Sequence, residues 1–418
     1  MNIWIFNHYA TAPTHVGGTR HYDLAKHLTD KGYTVTIFAS SFNHFSKKEM
    51  VFQGEKSEYK SEMIDGVKYV WIHTPPYESI VGRVKNIISY TWKSHKTGRA
   101  ACGRGKPDIV VGSSVHPLAA IVGYLIARKA GCKFYFEERD LWPQTFVDFG
   151  KLSPGNPVAF ALYRLESFLY KKADRIIVLF DKAKYYIQAR GINPNKVIYL
   201  PNGVDLSKYG QLEKSVEIDR LFSGLKNKFV IVYAGSHGVA NHLEPIIELF
   251  AKLKHNPDLH LLLVGNGPEK SRLMERAEQE GIHNITFHDA IPKTEIPYLL
   301  SKARMAILSI MDSPLYYWGF SMNKMYDYMA AGLPIIMITD PDLIGSLSGQ
   351  AGIYANNDIE ETALWLEEHY RDPKLLEWEG SQLKKYAEQN YCWGKLADSL
   401  ETFIVHDVSG VKKNEAIS

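Results

Sequence analysis

The segment from Tyr316 to Pro334 combines a lysine, an aspartate and possible helix-capping residues at spacings that suit phosphate chemistry. Ser321 or Asn323 could cap a helix whose first N–H groups face a diphosphate. Lys324 would add a positive charge beside them, so that no metal ion is needed. Asp327, one turn further on, could accept hydrogen bonds from ribose hydroxyl groups. The alternative is a packed helix on which Lys324 and Asp327 form a surface pair.

Glycine-rich turns follow several predicted strands, at positions where backbone N–H groups can approach an anion. Each turn alone predicts only a tight connection between two elements. Together they lie where α/β sheets bind ligands, beyond the carboxyl ends of the strands. We predict Lys324 as a catalytic residue. The predicted ligand contacts lie in these turns, in the loop after residue 287 and in the segment around Lys324. They are Gly17, Gly18, Arg20, Gly235, Ser236, Gly265, Asn266, Gly267, Ala290, Ile291, Gly319, Phe320, Ser321, Asn323 and Asp327.

A charged run also follows a buried-looking strand in the first half of the chain, from Glu137 to Asp140. Charged residues at this end of a strand are candidates for ligand binding, and we predict Arg139 as a contact. The alternative is a solvated loop with a structural ion pair. His116 lies just past another predicted strand and is a further predicted contact. The histidines show no H-E-x-x-H or comparable metal spacing, so we predict no metal site.

Composition restricts the classes of function. The 418 residues include 49 basic and 46 acidic side chains, a balance that does not indicate nucleic-acid binding. The three cysteines include no C-x-x-C pair, which argues against a disulfide framework and a thiolate zinc site. We find no signal-peptide pattern, and no apolar run reaches the roughly 18 residues that cross a membrane. The sequence therefore predicts a cytoplasmic protein.

One basic segment, residues 77–96, predicts an amphipathic helix. Its apolar residues at helical spacing are Ile80, Val84, Ile87 and Ile88, and the cations turned away from them are Arg83, Lys85, Lys93 and Lys96. Such a helix could lie on an anionic membrane, which would be the inner face of the cell membrane. The alternative is a helix that packs these apolar residues into the core.

The elements that position these residues alternate between short apolar runs and helical patterns, which is typical of βαβ units around a parallel sheet. A polar stretch at 211–228 separates two such series. The strands predicted are Ile3–Phe6, Tyr33–Phe38, Val67–Ile72, Ile109–Val111, Phe134–Phe136, Ile176–Leu179, Val197–Leu200, Phe229–Tyr233, Leu259–Val264, Ile285–Phe287, Met305–Leu308 and Pro334–Ile338. We predict an α/β fold of two Rossmann-like domains with an interdomain cleft.

These motifs resemble those of the family-4 retaining glycosyltransferases of the GT-B fold, especially the bacterial cell-surface polysaccharide branch. The resemblance spans nearly the whole chain. Its most specific elements are Asp140-Leu141-Trp142-Pro143 and the run from Asn323 to Gly332. It implies an acceptor-binding domain at 1–205, a nucleotide-sugar-binding domain at 206–390, a helix at 391–408 that crosses back to the first domain, and a tail at 409–418.

The resemblance implies transfer of a sugar, hexosyl or N-acetylhexosaminyl, from a nucleotide diphosphate donor, commonly a UDP-sugar, without a metal or other cofactor. The acceptor would be a saccharide or an undecaprenyl-diphosphate-linked saccharide, as in O-antigen or capsule synthesis. Asp140 would be an acceptor-side polar or general-base residue. The sequence departs from the family in two places, because Gly319 stands where a first acid belongs and the usual basic pair near Ser236 is missing. Arg20 or Arg139 would then assist Lys324 at the phosphates.

Two other functions fit the same residues. A nucleotide-sugar epimerase of the GT-B fold would act on the free donor without an acceptor. A catalytically degenerate subunit that only binds a nucleotide sugar would account for the missing acid and the missing basic pair.

Overall fold

The computed structural model describes residues 1–52 and 54–415, of which 410–415 are described by their backbone alone. The chain forms two compact units. Unit 1 comprises Met1–Pro201 together with the chain from Trp393 onward, and unit 2 is Asn202–Cys392. The sequence analysis placed these boundaries after residues 205 and 390. Each unit is a parallel α/β sheet flanked by helices, so the predicted fold class is confirmed.

Unit 1 contains an eight-stranded sheet in the order β10-β9-β8-β7-β1-β2-β6-β5, in which only β5 runs antiparallel to its neighbour. Its elements are β1 Asn2–Phe6, α1 Arg20–Asp30, β2 Thr34–Ser40, β3 Phe42–Asn43, β4 Lys48–Glu49, β5 Tyr59–Ile64, β6 Val67–Ile72, α2 Ile80–Cys102, β7 Ile109–Ser113, α3 Pro117–Ala130, β8 Lys133–Glu138, α4 Gln144–Asp148, α5 Pro157–Lys172, β9 Arg175–Val178, α6 Ala183–Ala189 and β10 Val197–Tyr199. The central strands are apolar runs with almost every residue buried, as a sheet covered on both faces requires.

Unit 2 contains a six-stranded, wholly parallel sheet in the order β13-β12-β11-β14-β15-β16. Its elements are α7 Val216–Ser223, β11 Phe229–Ala234, α8 Glu244–Lys252, β12 Leu259–Val264, α9 Lys270–Gln279, β13 Ile285–His288, α10 Ile296–Lys302, β14 Met305–Ser309, α11 Asn323–Ala330, β15 Ile335–Ile338, β16 Ile353–Asn356, α12 Ile359–His369 and α13 Pro373–Asn390. Short 3-10 turns include Leu206–Tyr209, Val239–Asn241 and Pro314–Trp318. Because all strands are parallel, their carboxyl ends share one edge.

The last helix, α14, spans Trp393–Glu415 and belongs to unit 1. Its Trp393 and Leu400 join the core beside α1. Asp407 accepts a hydrogen bond of 2.8 Å from the Tyr135 hydroxyl and pairs with Arg175 at 2.7 Å. The helix continues through most of the segment expected to be a tail, because it extends to Glu415. Residues 416–418 of that tail lie outside the described residues.

The structure contains a strand at each of the predicted positions and adds others. Two of the added strands, β5 and β16, lie at sheet edges. Five of the six residues of β5 are exposed, and all four of β16 are only partly buried. Neither strand therefore shows the continuous apolar run from which the buried strands were predicted.

Helix α2 presents its apolar residues to solvent. Ile80, Val84 and Ile88 are 84%, 50% and 57% exposed. The buried face is polar, since Asn86 Nδ2 donates to Thr74 Oγ1 at 2.9 Å. The alternative in which this apolar stripe packs into the core is therefore wrong for Ile80, Val84 and Ile88. No helix in the described part of the chain is long and apolar enough to cross a membrane.

Candidate functional site

The start of α11 provides unoccupied N–H groups at the carboxyl edge of unit 2. Met322 holds the capping position without a side-chain hydrogen bond, and Asn323 is the exposed first residue. Ser321 Oγ instead accepts from Asn202 N at 3.0 Å. The prediction that Ser321 or Asn323 caps the helix is therefore wrong. In the described chain no side chain competes for the first N–H groups, and they remain available to an anion.

Lys324 lies in the first turn of α11 and has only neutral partners. Its Nζ donates to the Tyr233 hydroxyl at 2.8 Å and to Asn241 Oδ1, and it lies 4.5 Å from the centre of the Tyr233 ring. No carboxylate pairs with it among residues 1–52 and 54–409. Burial lowers the pKa of Lys324 to about 7. A bound anion would stabilise the charged form of this buried ammonium group.

Asp327 is hydrogen-bonded to Tyr209 and not to Lys324, the partner that a surface pair would require. Its Oδ1 accepts a hydrogen bond of 2.7 Å from the Tyr209 hydroxyl. Burial raises the pKa of Asp327, while the hydrogen bond from Tyr209 opposes that shift. The alternative in which Asp327 pairs with Lys324 is wrong, and the carboxylate can still accept a further hydroxyl group.

The turns after β11 and β12 interlock through glycines. A Cβ atom on Gly265, whose φ is 152°, would lie 1.9 Å from the carbonyl oxygen of Gly235. One on Gly267 would lie 2.3 Å from the carbonyl oxygen of His237. Gly235 also lies beside Lys324, since a Cβ there would be 3.2 Å from Lys324 Cε. Only glycine allows the approach at Gly265 and Gly267, and the structure brings both turns together near the lysine.

A second lysine, Lys270, contacts the turn after β12 and the loop after β13. The sequence analysis missed it. Lys270 Nζ donates to Asn266 Oδ1 at 3.1 Å and pairs with Asp289 at 2.7 Å. Ala290 and Ile291 follow directly, in the loop after β13. The exposed Ser236 lies beside Tyr233, whose hydroxyl donates to the Ser236 carbonyl at 2.8 Å. Tyr233 and Asn241 were also missed, and only their position after a predicted strand could have suggested them.

Gly319 and Phe320 belong to the connection before α11. Gly319 has a φ of 95° and its N–H donates to Tyr316 O at 3.0 Å, so it closes a 3-10 turn. Phe320 packs against the core of unit 2. A positive φ favours glycine over an acidic residue, which accounts for the glycine found at this position.

In unit 1, Arg20 has a structural role. Its guanidinium is 3% exposed, and its Nε donates to Glu137 Oε1 at 2.8 Å. Its other nitrogens donate to the carbonyl oxygens of Leu200 and Pro201. The buried side chain thus joins three segments of unit 1. Contact between Arg20 and a phosphate stays a prediction.

The turn before α1 also differs from an anion site. Gly17 packs closely, since a Cβ atom there would lie 2.7 Å from the Phe45 ring, and the Gly18 carbonyl accepts from Thr11 at 2.9 Å. Asp23 already places a negative charge in the first turn of α1. Contacts from Gly17 and Gly18 stay predictions.

Glu137 and Glu138 are both buried, yet their charge states differ. Glu137 binds Arg20 and accepts from His21 Nε2 at 2.6 Å, and these two partners hold the pKa of Glu137 well below its usual range against the effect of burial. Burial and the nearby Glu166 carboxylate raise the pKa of Glu138 well above that range. The Tyr170 hydroxyl donates to Glu138. The pKa values of the two adjacent carboxyl groups are therefore shifted in opposite directions.

The next two residues, Arg139 and Asp140, leave the strand edge without such partners. Asp140 is exposed, and Arg139 is partly exposed with only its backbone N–H bound, to Ser114 Oγ at 3.2 Å. In the described chain neither charged side chain has a hydrogen bond or ion pair. Ligand contact by Arg139 and an acceptor-side role for Asp140 remain predictions.

Both ring nitrogens of His116 contact other residues of unit 1. Its Nδ1 accepts from Ala119 N at 3.3 Å, and its Nε2 lies 2.7 Å from His8 Nδ1. Burial lowers the pKa of His116 to about 3, so the ring is neutral. Both ring nitrogens are thus engaged within unit 1. Ligand contact by His116 stays a prediction.

The described residues contain no group of three or more His, Cys, Asp or Glu side chains placed to hold a metal ion. Cys102, Cys132 and Cys392 are free thiols.

Comparison with known proteins gives a match to each unit. Residues 17–203 match the glycosyl transferase 4-like domain, and residues 216–386 match the glycosyl transferases group 1 domain. The chain is 26% identical over 273 residues to WcaI of Escherichia coli K12, a protein named for glycosyl transfer in colanic acid biosynthesis. That alignment covers 62% of this chain and 66% of WcaI, so it spans less than two thirds of the relative's length.

Solved structures show the same fold at low sequence identity. Sucrose-phosphate synthase from Thermosynechococcus elongatus superposes with a TM-score of 0.73 at 16% identity and covers all of both chains. HepE from Anabaena, in complex with UDP, superposes with a TM-score of 0.70 at 15% identity and covers 97% of this chain and 100% of HepE. At these identities the similarity establishes the fold alone.

The adjacent glutamates predict opposite mutational effects. Glu137→Gln removes a buried charge that compensates Arg20 and should lower the unfolding free energy by about 3 kcal/mol near neutral pH. Glu138→Gln should reduce the loss of stability between about pH 5 and about pH 8, because a carboxyl with a raised pKa destabilises the folded state as pH rises. Urea unfolding at both pH values measures the two effects. Equal pH dependence in the Glu138→Gln variant and the parent protein would contradict the assignment.

The lowered pKa of Lys324 predicts that pyrophosphate binding weakens as pH rises above about 7. The protonated lysine attracts the anion, and its pKa of about 7 means that the charge is lost in this range. Calorimetric titration with pyrophosphate should give an affinity that falls by up to about tenfold per pH unit above that value. Lys324→Met serves as the control for the titration of pyrophosphate itself. A parent profile that matches the Lys324→Met profile would exclude Lys324 from the site.

Proposed function

Because the chain belongs to the glycosyltransferases, through a glycosyl transferase 4-like domain and a glycosyl transferases group 1 domain, we propose that it transfers a sugar from a UDP-sugar to a saccharide or lipid-linked saccharide. The family resemblance drawn from the motifs is confirmed by these matches. The observation that carries the proposal is Lys324 at the start of α11, which has no carboxylate partner among the described side chains and lies in a first turn without a capping side chain. The transferred sugar would be a hexosyl or N-acetylhexosaminyl group, in the synthesis of a cell-surface polysaccharide such as O-antigen or capsule.

Donor binding is assigned to the carboxyl edge of unit 2. The N–H groups at the start of α11 and the Lys324 ammonium would bind the diphosphate, with Gly235 and Gly265 close to them. Asp327 would accept the ribose hydroxyls. The UDP complex of HepE, which has the same fold, supports a uridine nucleotide. No metal ion is needed in this scheme, because a lysine and helix N–H groups supply the positive charge.

Catalysis would come from stabilising the departing diphosphate. When the bond between the anomeric carbon and the phosphate oxygen breaks, negative charge grows on the diphosphate, and Lys324 stabilises it. The acceptor hydroxyl attacks on the same face of the sugar, and its proton passes to the departing phosphate oxygen. The configuration at the anomeric carbon is then retained. Stabilisation of charge at a preorganised site is the largest single contribution expected of such residues.

Acceptor binding is assigned to unit 1. Asp140, two residues after β8, would orient the acceptor hydroxyl or assist its deprotonation, because the residue is exposed and its side chain has no hydrogen bond or ion pair among the described residues. Arg139 beside it would contact the acceptor or the phosphates.

Contact with the inner face of the cell membrane is assigned to α2. Its exposed stripe of Ile80, Val84 and Ile88 continues to Trp92, which is 59% exposed. The 23 residues of α2 include no acidic side chain, so its charge suits an anionic surface. A protein located in the cytoplasm could in this way reach a lipid-linked acceptor.

Two substitutions separate donor chemistry from acceptor chemistry. Lys324→Ala should lower both sugar transfer and hydrolysis of the UDP-sugar by about 10²-fold or more. Asp140→Asn should preserve donor hydrolysis while transfer is lost, because it acts on the acceptor alone. Rates of UDP release with and without acceptor measure both effects, and Lys226→Ala, at an exposed lysine of unit 2, is the control. Full activity in a folded Lys324→Ala variant would refute the proposal.

The same assay distinguishes the two alternative functions. An epimerase converts the UDP-sugar to an isomer without acceptor and without release of UDP. A degenerate binding subunit binds UDP but turns over no donor with any acceptor. The structure favours neither, because Gly319 serves the turn that precedes α11.

Membrane contact predicts a loss of vesicle binding when the α2 stripe becomes charged. Val84→Asp and Ile88→Asp should each weaken partition onto vesicles that contain phosphatidylglycerol by about tenfold or more, since burying such a side chain contributes about 1.5–3 kcal/mol. Co-sedimentation measures the partition. Leu364→Asp is the matched control, because Leu364 is 65% exposed on α12 of unit 2. Equal losses from Leu364→Asp and Ile88→Asp would rule out α2 as the contact.

A further inference from the structure

A second group of cations without acidic partners lies at the carboxyl edge of the unit 1 sheet. It consists of Tyr9, His44, Lys47, Tyr77 and Arg83, which we call the cationic aromatic cluster. Tyr9 follows β1, His44 and Lys47 lie in the turn between β3 and β4, and Tyr77 and Arg83 flank the start of α2. The predicted ligand contacts in unit 1 include none of these five residues.

Stacked rings form the floor of the cluster. Tyr9 and His44 stack with their centres 4.5 Å apart and their planes 12° apart, and His44 stacks on Tyr77 at 5.9 Å. The Arg83 guanidinium lies 5.9 Å from the Tyr9 ring, and its Nε donates to the Tyr9 hydroxyl at 3.3 Å. Lys47 Nζ lies 4.4 Å from the Tyr77 ring. Both cations are thus held over one aromatic surface.

The charge on this surface is uncompensated within the described chain. Neither Lys47 nor Arg83 has an ion pair with a carboxylate in residues 1–52 and 54–409. Burial and these two cations lower the pKa of His44 to about 4, and burial together with Arg83 lowers the pKa of Lys47. His44 is therefore neutral, and its Nδ1 accepts from the Tyr77 hydroxyl. The cluster presents N–H donors, and no carboxylate of the described residues is paired with either cation.

The position of Arg83 points the same way. Arg83 lies in the first turn of α2, which contains no acidic residue. A cation at this positive end of a helix is unfavourable, unless an anion binds beside it. In the same turn begins the exposed apolar stripe of Ile80, Val84 and Ile88. Positive charge and apolar surface are therefore adjacent, an arrangement that matches an anion attached to a hydrocarbon chain.

Resting on the proposed function, we propose that the cationic aromatic cluster binds the phosphate or diphosphate group of a lipid-linked acceptor. Lys47 and Arg83 contact the phosphate oxygens, and the α2 stripe contacts the hydrocarbon chain. The acceptor is then an anionic amphiphile, and a neutral saccharide of the same structure is a much poorer acceptor. The source of the phosphate is the acceptor and not a membrane phospholipid.

Farnesyl diphosphate is the probe for this subsite, with farnesol as its uncharged counterpart. All proteins carry Lys324→Met, so that the diphosphate site of unit 2 does not contribute. Calorimetry should show that Lys47→Gln with Arg83→Gln weakens farnesyl diphosphate binding by about tenfold or more, to the level of farnesol. Lys171→Gln with Lys172→Gln removes two exposed charges on α5 of unit 1, away from α2, and should leave the affinity unchanged.

Three outcomes overturn the proposal. The first is no binding of farnesyl diphosphate by the Lys324→Met protein, and the second is an equal loss of affinity in the control pair. The third is that Lys47→Gln with Arg83→Gln weakens binding to phosphatidylglycerol vesicles but not to farnesyl diphosphate. The last outcome would assign the cations to phospholipid headgroups. The test is independent of catalysis. Normal probe binding without any sugar transfer would refute the proposed function only, whereas undiminished transfer to a lipid diphosphate acceptor in the Lys47→Gln, Arg83→Gln variant would refute the subsite only.

Discussion

The Lys324 ammonium is held by a tyrosine hydroxyl and an amide oxygen, in surroundings that disfavour its charge. This constraint organises the carboxyl edge of unit 2. The β11 turn passes beside the lysine, where a Cβ atom on Gly235 would lie 3.2 Å from Lys324 Cε, and the β12 turn packs on that turn, which requires Gly265. The same arrangement leaves the first N–H groups of α11 open. Sheet, turns and helix thus converge on a position where an anion would complete the interactions that the protein leaves unfilled.

Buried and functional charges differ in the partners that the chain provides for them. Arg20 is compensated by Glu137 and by two backbone carbonyl groups, and it is closed to solvent. Lys324 and Arg83 have no carboxylate partner in the described chain and lie at strand or helix ends. A cation whose compensation is complete stabilises the fold, whereas one without compensation has free energy to gain from a ligand. This distinction separates the structural arginine from the candidate binding residues.

Much of the fold could be predicted, because buried parallel strands are continuous apolar runs that local sequence reveals. The segment around Lys324 could also be recognised, since the lysine and Asp327 lie within one helix. Partners distant in sequence could not. Arg20 and Glu137 are separated by 116 intervening residues, and nothing local shows that the guanidinium faces the core. For the same reason the sequence pattern did not indicate Tyr233 or Asn241 as partners of Lys324.

Helix α2 shows why periodicity alone does not determine orientation. Its apolar stripe has the spacing of a core-facing helix, but Asn86 and Tyr90 occupy the buried side, where each finds a hydrogen-bond partner. Burying these polar groups without such partners would be costly, so the turn at Thr74 and the end of β2 fix the rotation of the helix. The apolar residues are then necessarily exposed. The stripe begins beside Arg83. The rotation of α2 that the buried polar groups set therefore places apolar surface and positive charge together at the carboxyl edge of the unit 1 sheet.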